Sequence, residues 1–217
     1  MERSLPTAVI EAWHFAPTAD ARSLILPDGC RDLILHIAAD GKPACFVSAL
    51  ADTVQQVDSQ AGELFFGFRF HPGSLFDESA LLRAARQLTA PDPAKLQAII
   101  EDHVGIDHNL AEVLAGLSAS SRIDSARHQL GVSERSLERF LQKRTGHPPS
   151  YWRQLARVRR AAASLTGEQS LAAVAAEQGY ADQAHLSRAF RKWFGTTPSR
   201  FRNNPKLLTQ VATPGFC

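Results

Sequence analysis

The chain has 217 residues, 44% hydrophobic and 21% charged, a globular composition that excludes wholesale disorder and allows one large domain or two small ones. It holds no apolar run of the eighteen or so residues that span a membrane, and its start, Met1-Glu2-Arg3-Ser4-Leu5-Pro6, lacks the basic and then apolar pattern of a leader. The net charge of +2 conceals a division: residues 1–119 carry eight Lys and Arg against sixteen Asp and Glu, net −8, while residues 120–217 carry sixteen against six, net +10.

Such asymmetry indicates two domains, the basic one suited to a polyanion, a membrane surface or an acidic protein. Three widely spaced cysteines, Cys30, Cys45 and Cys217, form neither a disulfide framework nor a zinc finger. A reducing, cytoplasmic setting is the resulting expectation.

From the N-terminus, short β-rich runs come first: 31–37, 44–47 and 63–70, separated by turn residues such as Pro27-Asp28-Gly29 and Asp40-Gly41-Lys42-Pro43. In the last run Leu64, Phe66, Phe68 and Phe70 share one face, and Phe65, Gly67 and Arg69 share the other. This predicts a small, mostly antiparallel sheet or partial barrel over residues 7–71. After Pro72-Gly73 the pattern turns helical. Asp92-Pro93 suits a helix start, followed by a stripe of Leu96, Ile99, Ile100 and Val104; Leu110, Val113, Leu114 and Leu117 form another.

The basic half reads as two helix-turn-helix units. In the first, Ile123, Ala126 and Leu130 mark one helix face, Gly131 stops that helix, and Ser133 caps a second. Leu137, Phe140 and Leu141 are expected in the core, with Arg135, Glu138 and Arg139 outward. In the second, Leu171, Val174 and Ala175 form the stripe, Gly179-Tyr180 ends the helix and Asp182 caps the next. Leu186 and Phe190 point inward, leaving Gln183, Ala184, Ser187 and Arg188 outside. Between the units, Pro149-Ser150-Tyr151-Trp152 opens a run to Leu165 without Gly or Pro, strongly helical by propensity, with Trp152, Leu155, Val158 and Ala162 along its buried side. Arg139 and Arg188 occupy equivalent places 49 residues apart, the mark of an internal repeat.

Residues 120–202 closely resemble the DNA-binding domain of AraC/XylS-type transcriptional regulators. The likeness rests on Leu137-x-Arg139 after Gly131-Val132-Ser133, on Pro149-x-x-Trp152 followed by Arg157 and Ala161, and on the stretch from Gly179-Tyr180-Ala181-Asp182-Gln183 through His185-Leu186-x-Arg188-x-Phe190 to Gly195-x-Thr197-Pro198-x-x-Phe201-Arg202. Two positions depart from the family pattern: Arg127, where a small residue is usual, and Phe140, one position early. The resemblance implies that the second helix of each unit enters a major groove, the pair taking successive grooves on one face of double-stranded DNA, roughly 34 Å apart. Carried over by position, Arg135, Glu138, Arg139, Gln183, Ser187 and Arg188 are the base-facing candidates. Arginine pairs with guanine, glutamine with adenine, and glutamate accepts from cytosine. Arg139 and Arg188 could instead brace helices or grip phosphate, Glu138 could orient a neighbouring arginine, and His185 could pack or read. Lys143, Arg144, Arg191 and Lys192 are phosphate contacts or solvated charge.

In the acidic half, Leu26-Pro27-Asp28-Gly29-Cys30-Arg31-Asp32-Leu33-Ile34 and Gly67-Phe68-Arg69-Phe70-His71-Pro72-Gly73 look like paired segments of a small sensor-like domain found ahead of this DNA-binding domain. In the wider family a cupin-like domain there binds an effector, dimerises, or both. The cupin metal pattern is absent, since His14, His36 and His71 are isolated from one another. An enzyme would have to assemble a site from Cys30, Asp32, His36, Arg69 and His71, none of which has ligand or triad spacing. Cys30 reads as a buried small residue. Arg69 is either one end of a salt bridge, with Asp32 as its partner, or the clamp for a ligand carboxylate.

The expected class is α+β: residues 1–80 a small β-rich sensor or dimerisation domain, 81–119 a helical linker, and 120–217 an all-α tandem helix-turn-helix domain. The expected function is sequence-specific transcriptional regulation under a small-molecule effector, with a constitutive DNA binder whose N-terminal domain only dimerises or meets partners as the alternative. No enzyme activity, metal, cofactor or membrane is expected; RNA polymerase and a second copy of the chain are candidate partners.

Overall fold

The computed structural model describes residues 4–88, 92–119 and 131–217. Ile123, Ala126, Arg127 and Leu130 lie outside the described residues. Contacts divide the chain into two compact units. The first comprises the described residues up to Ile25, with Cys30–Leu50 and Gln56–His108; the second comprises Leu26–Gly29, Ala51–Gln55 and the described residues of Asn109–Cys217.

The first unit is built on β1 (Val9–Phe15), β2 (Ala21–Ile25), β3 (Asp32–Ile37), β4 (Pro43–Val47), β5 (Gln55–Ser59) and β6 (Leu64–Phe70). The main sheet has the order β1-β6-β3-β4, every pair antiparallel, with β2 and β5 forming a separate ribbon. Central β6 alternates as its sequence predicts. Register places Leu33 opposite Phe68 and Leu35 opposite Phe66, so the leucines of β3 and the even-numbered phenylalanines of β6 share a face. Helices α1 (Glu78–Arg86) and α2 (Pro93–His103) supply Leu81, Ala85, Leu96 and Ile100, and the residue after α2 supplies Val104, to the same core as Leu33, Leu35, Phe68 and Phe70.

Leu64, on that face, stays 39% exposed while Phe70 is 1% exposed. The helical layer thus seals the C-terminal end of β6. Both helices begin on acidic caps: Asp77 accepts from the Ala80 amide at 3.0 Å, and Asp92 accepts from Ala94 at 3.0 Å, with Pro93 in the first turn. A short β7 (Ser74–Leu75) pairs with β8 (Gly105–Ile106).

The second unit is helical: α3 (His108–Ala119), α4 (Glu134–Thr145), α5 (Pro149–Ala163), α6 (Leu171–Glu177), α7 (Gln183–Phe194), α8 (Pro198–Arg202) and α9 (Pro205–Val211). The long helix expected after Pro149 runs to Ala163 and tightens into a 3-10 turn over Ser164–Thr166. Trp152, Leu155, Val158 and Ala162 on α5 are buried as expected, and Leu186, Phe190 and Phe194 of α7 join them with Phe201 of α8. Phe190, Phe194 and Phe201 form a ring cluster with centroids 5.1–5.5 Å apart.

Two features of this core escaped the periodicity. Phe216, next to last in the chain, is buried edge-on against Trp152 at 5.0 Å, and its amide donates to the Asp28 carbonyl at 2.7 Å. Arg159 is 3% exposed, and its guanidinium donates to the carbonyls of Pro27 and Val211 at 3.3 Å and of Thr213 at 3.4 Å. Gly29 sits between these groups with φ 75°, and a Cβ there would lie 2.6 Å from that of Phe216. Only glycine serves at that position.

Candidate nucleic-acid interface

The second helix of each predicted unit has defined ends. On α4, the Ser133 hydroxyl accepts from the Ser136 amide at 3.2 Å, and Gly146 closes the helix in the left-handed conformation. On α7, the Asp182 carboxylate accepts from the His185 amide at 2.6 Å, and Gly195 closes it in the same way. The turn before α7 carries paired closing bonds, Tyr180 N–H to the Ala175 carbonyl at 2.8 Å and Gly179 N–H to Ala176 at 3.1 Å. These bonds satisfy carbonyls that the end of α6 leaves open.

Burial separates the faces of both helices. Leu137 and Leu141 of α4 and Leu186 and Phe190 of α7 are fully buried. Arg135, Glu138, Arg139, Gln183 and Arg188 are exposed, and Ser187 is half-buried. Phe140, expected in the core, is only half-buried, with the Arg144 guanidinium 5.9 Å from its ring. The physical reason is angular: Leu137 and Leu141 are one turn apart and define the buried direction, and Phe140 stands on its margin. Among the described residues, Arg135, Arg139 and Arg188 have no carboxylate partner.

Around α7 several polar side chains brace rather than project. The Arg157 guanidinium lies over the Tyr180 ring at 4.3 Å and donates to the Gly179 carbonyl at 3.3 Å. Tyr180 meets His185 edge-on at 5.1 Å, so the histidine packs against the turn. Burial pushes the Tyr180 hydroxyl pKa up, an effect that neighbouring Arg157 reduces. Lys192 donates to the Gln154 side chain at 3.0 Å and lies over Trp193. Burial and the like charge of Arg157 lower the Arg153 pKa. A cleft of about 240 Å³ is lined by Gln154, Arg157, Tyr180, His185, Arg188 and Lys192, among others. In the sequence Arg157 stands out only as part of a motif. Its signal was a cation one helix away from an aromatic-glycine turn, which is visible only once α5 and α6 pack.

The other singled-out residues serve the first unit. Arg69 donates to Glu11 at 2.7 Å and approaches Asp32 at 3.3 Å, so the salt bridge with Asp32 is present and a second carboxylate joins it. His36 pairs with Glu63 at 3.0 Å and stacks on Phe65 at 4.4 Å. Cys30 is buried. His71 accepts from the Gly73 amide at 3.0 Å, and burial lowers its pKa. Among the described residues no group of three or more His, Cys, Asp and Glu could hold a metal ion, and no helix is long and apolar enough to cross a membrane.

Comparison with known proteins places this geometry. Residues 127–204 match a helix-turn-helix domain family. Over 71 residues the chain is 45% identical to the HTH-type transcriptional regulator RipA of Corynebacterium glutamicum. That match covers 33% of this chain and only 22% of RipA. Among solved structures, a transcriptional regulator of the AraC-type DNA-binding-domain class from Chromobacterium violaceum is 28% identical, over 48% of this chain and 92% of that one, with a TM-score of 0.39. ToxT from Vibrio cholerae O395 aligns over 94% of this chain and 97% of its own at 9% identity, with a TM-score of 0.47. The domain match, the RipA identity and the capped helices of the second unit agree, and residues 127–204 match a helix-turn-helix domain, part of which is similar to the HTH-type transcriptional regulator RipA.

Proposed function

We propose that the chain is a sequence-specific DNA-binding transcriptional regulator whose α4 and α7 enter two successive major grooves of double-stranded DNA. The observation that supports it best is the exposed, polar outer face of each capped helix, where Arg135, Arg139 and Arg188 stand without a carboxylate partner among the described residues. Arg139 and Arg188 supply paired donors for guanine O6 and N7, Gln183 matches adenine, and Glu138 accepts from the cytosine amino group. Arg135 and Ser187 complete the two reading faces. Lys143, Arg144 and Arg191 hold backbone phosphates, because an exposed cation beside a base-reading helix meets the sugar-phosphate chain first.

In this reading the N-terminal unit receives a small-molecule effector, a second copy of the chain and RNA polymerase are the protein partners, and the cytoplasm is the place of action. The chain has no catalytic role; the regulator family is not an enzyme class. In vitro selection from random duplexes with the full chain should return a bipartite site with two conserved blocks about one helical turn apart. Affinity for that site should fall steeply between 50 and 200 mM salt, on the order of a hundredfold or more, as bound cations are displaced. Arg188→Ala should relax preference at one base pair. A flat salt response with no enriched sequence would remove the proposal, and a uniform loss across all sequences in Arg188→Ala would reduce that residue to a phosphate contact.

A further inference from the structure

The face of the main sheet turned away from α1 and α2 carries three parallel rows, set by the strand register. The first is Glu11, Arg69 and Asp32; the second is Trp13, Gly67, Ile34 and Phe46; the third is Phe15, Phe65 and His36. Rows two residues apart along a strand are roughly 7 Å apart, and neighbouring strands about 4.8 Å. The middle row is preorganised. The Trp13 indole donates to Asp32 at 3.1 Å and lies over Gly67, where a Cβ would run into the ring. Phe15 and Phe46 remain 41% and 42% exposed, an unusual exposure for phenylalanines on a sheet that also holds a buried acid, Asp32.

The charge of this face is the informative quantity. Arg69 faces two carboxylates, Glu11 at 2.7 Å and Asp32 at 3.3 Å, which leaves the row with one negative charge in excess. Glu63, paired with His36 beside the third row, adds another carboxylate. A ligand carboxylate would have to displace Glu11 or Asp32 from Arg69 and would meet the remaining acid. A cationic group is attracted by the same excess, and aromatic faces attract it further through their negative quadrupoles. The wider first unit has the same sign, since its segments carry eight Lys and Arg against thirteen Asp and Glu, net −5.

We infer that this face is the effector site and that its ligand is a small organic cation, an amine or quaternary ammonium on an aromatic or branched apolar body. The cationic head lies above the Glu11–Arg69–Asp32 row, and the body lies on Trp13, Phe46 and Phe65. This inference rests on the proposal that the N-terminal unit receives an effector and specifies the ligand class.

The test uses the full chain and three probes of one shape: 4-phenylbutylammonium, 4-phenylbutyrate and neutral 4-phenylbutan-1-ol, titrated by calorimetry. The ammonium should bind about tenfold more tightly than the carboxylate, with the alcohol between them. Trp13→Leu should weaken the ammonium severalfold. Glu11→Gln should narrow the cation preference and strengthen the carboxylate, because it releases half of the Arg69 pairing. Preference for the carboxylate in the unaltered chain, or no heat from the ammonium up to millimolar concentration, overturns the inference. DNA affinity measured with and without saturating ammonium separates the two claims: tight ammonium binding that leaves DNA affinity unchanged upholds the cation site and removes effector control.

Discussion

The guanidinium of Arg157 lies 4.3 Å from the centre of the Tyr180 ring and donates to the carbonyl of Gly179 at 3.3 Å. One cation on α5 thereby holds both residues of the turn that aims α7. Arg157→Ala should destabilise the second unit by about 1–2 kcal/mol, the sum of a half-buried cation–π contact and one charge-assisted hydrogen bond. Arg157→Lys should recover less than half, since an ammonium cannot stack flat and bond sideways at once. Urea unfolding followed by tryptophan fluorescence measures both, and an unchanged midpoint in the alanine variant would show the stack to be incidental.

The cap of α7 is the second exposed point of control. Asp182→Ala removes the acceptor of the His185 amide and should cost about 1 kcal/mol, with Asp182→Asn retaining most of it. The same denaturation experiment ranks the three chains. Equal stability of the alanine and asparagine variants would mean that the cap does not contribute.

Gly67 carries a prediction about the first unit. Gly67→Ala forces the Trp13 indole off its seat and should lower stability by about 1–3 kcal/mol, as overpacking does elsewhere. Loss of the Trp13–Asp32 hydrogen bond should accompany it, visible as a red shift of the tryptophan emission. A variant with wild-type melting temperature and emission would mean that the indole has room to move.

His71 makes stability depend on pH in a defined direction. Burial lowers its pKa from the ordinary 6.5, so the folded state holds fewer protons than the unfolded chain between the two values. Stability therefore rises with pH across that interval. Its contribution is complete above about 6.5 and is lost as the pH falls below it. His71→Gln should flatten this part of the curve of melting temperature against pH; an unaltered slope would assign it to other groups.

Much of the basic half was legible because its determinants are local. A cap and the amide it satisfies are two or three residues apart, as with Ser133 and Ser136 or Asp182 and His185. A helix stripe such as Leu137–Leu141 repeats within one turn, and the strand alternation of β6 was visible for the same reason. β1 and β5 were harder to see, since Val9–Phe15 mixes Glu11 and His14 among its apolar residues and Gln55–Ser59 is polar apart from Val57.

From the sequence alone followed the division of charge, which is composition, and the α+β class with the caps and outward faces of α4 and α7, which depend on neighbours within a turn or a strand. Tertiary structure alone decided that Glu11 joins Asp32 on Arg69, because Glu11 is 58 residues away and reaches it only through strand register. It also decided that Leu26–Gly29, Ala51–Gln55 and the buried Phe216 belong to the helical unit. No periodicity marks such segments: Leu26–Gly29 is held by the bonds of Arg159 and Phe216 to the Pro27 and Asp28 carbonyls, and Ala51–Gln55 by the bonds of Tyr151 to the Ala51 carbonyl and of the Val54 amide to Trp193.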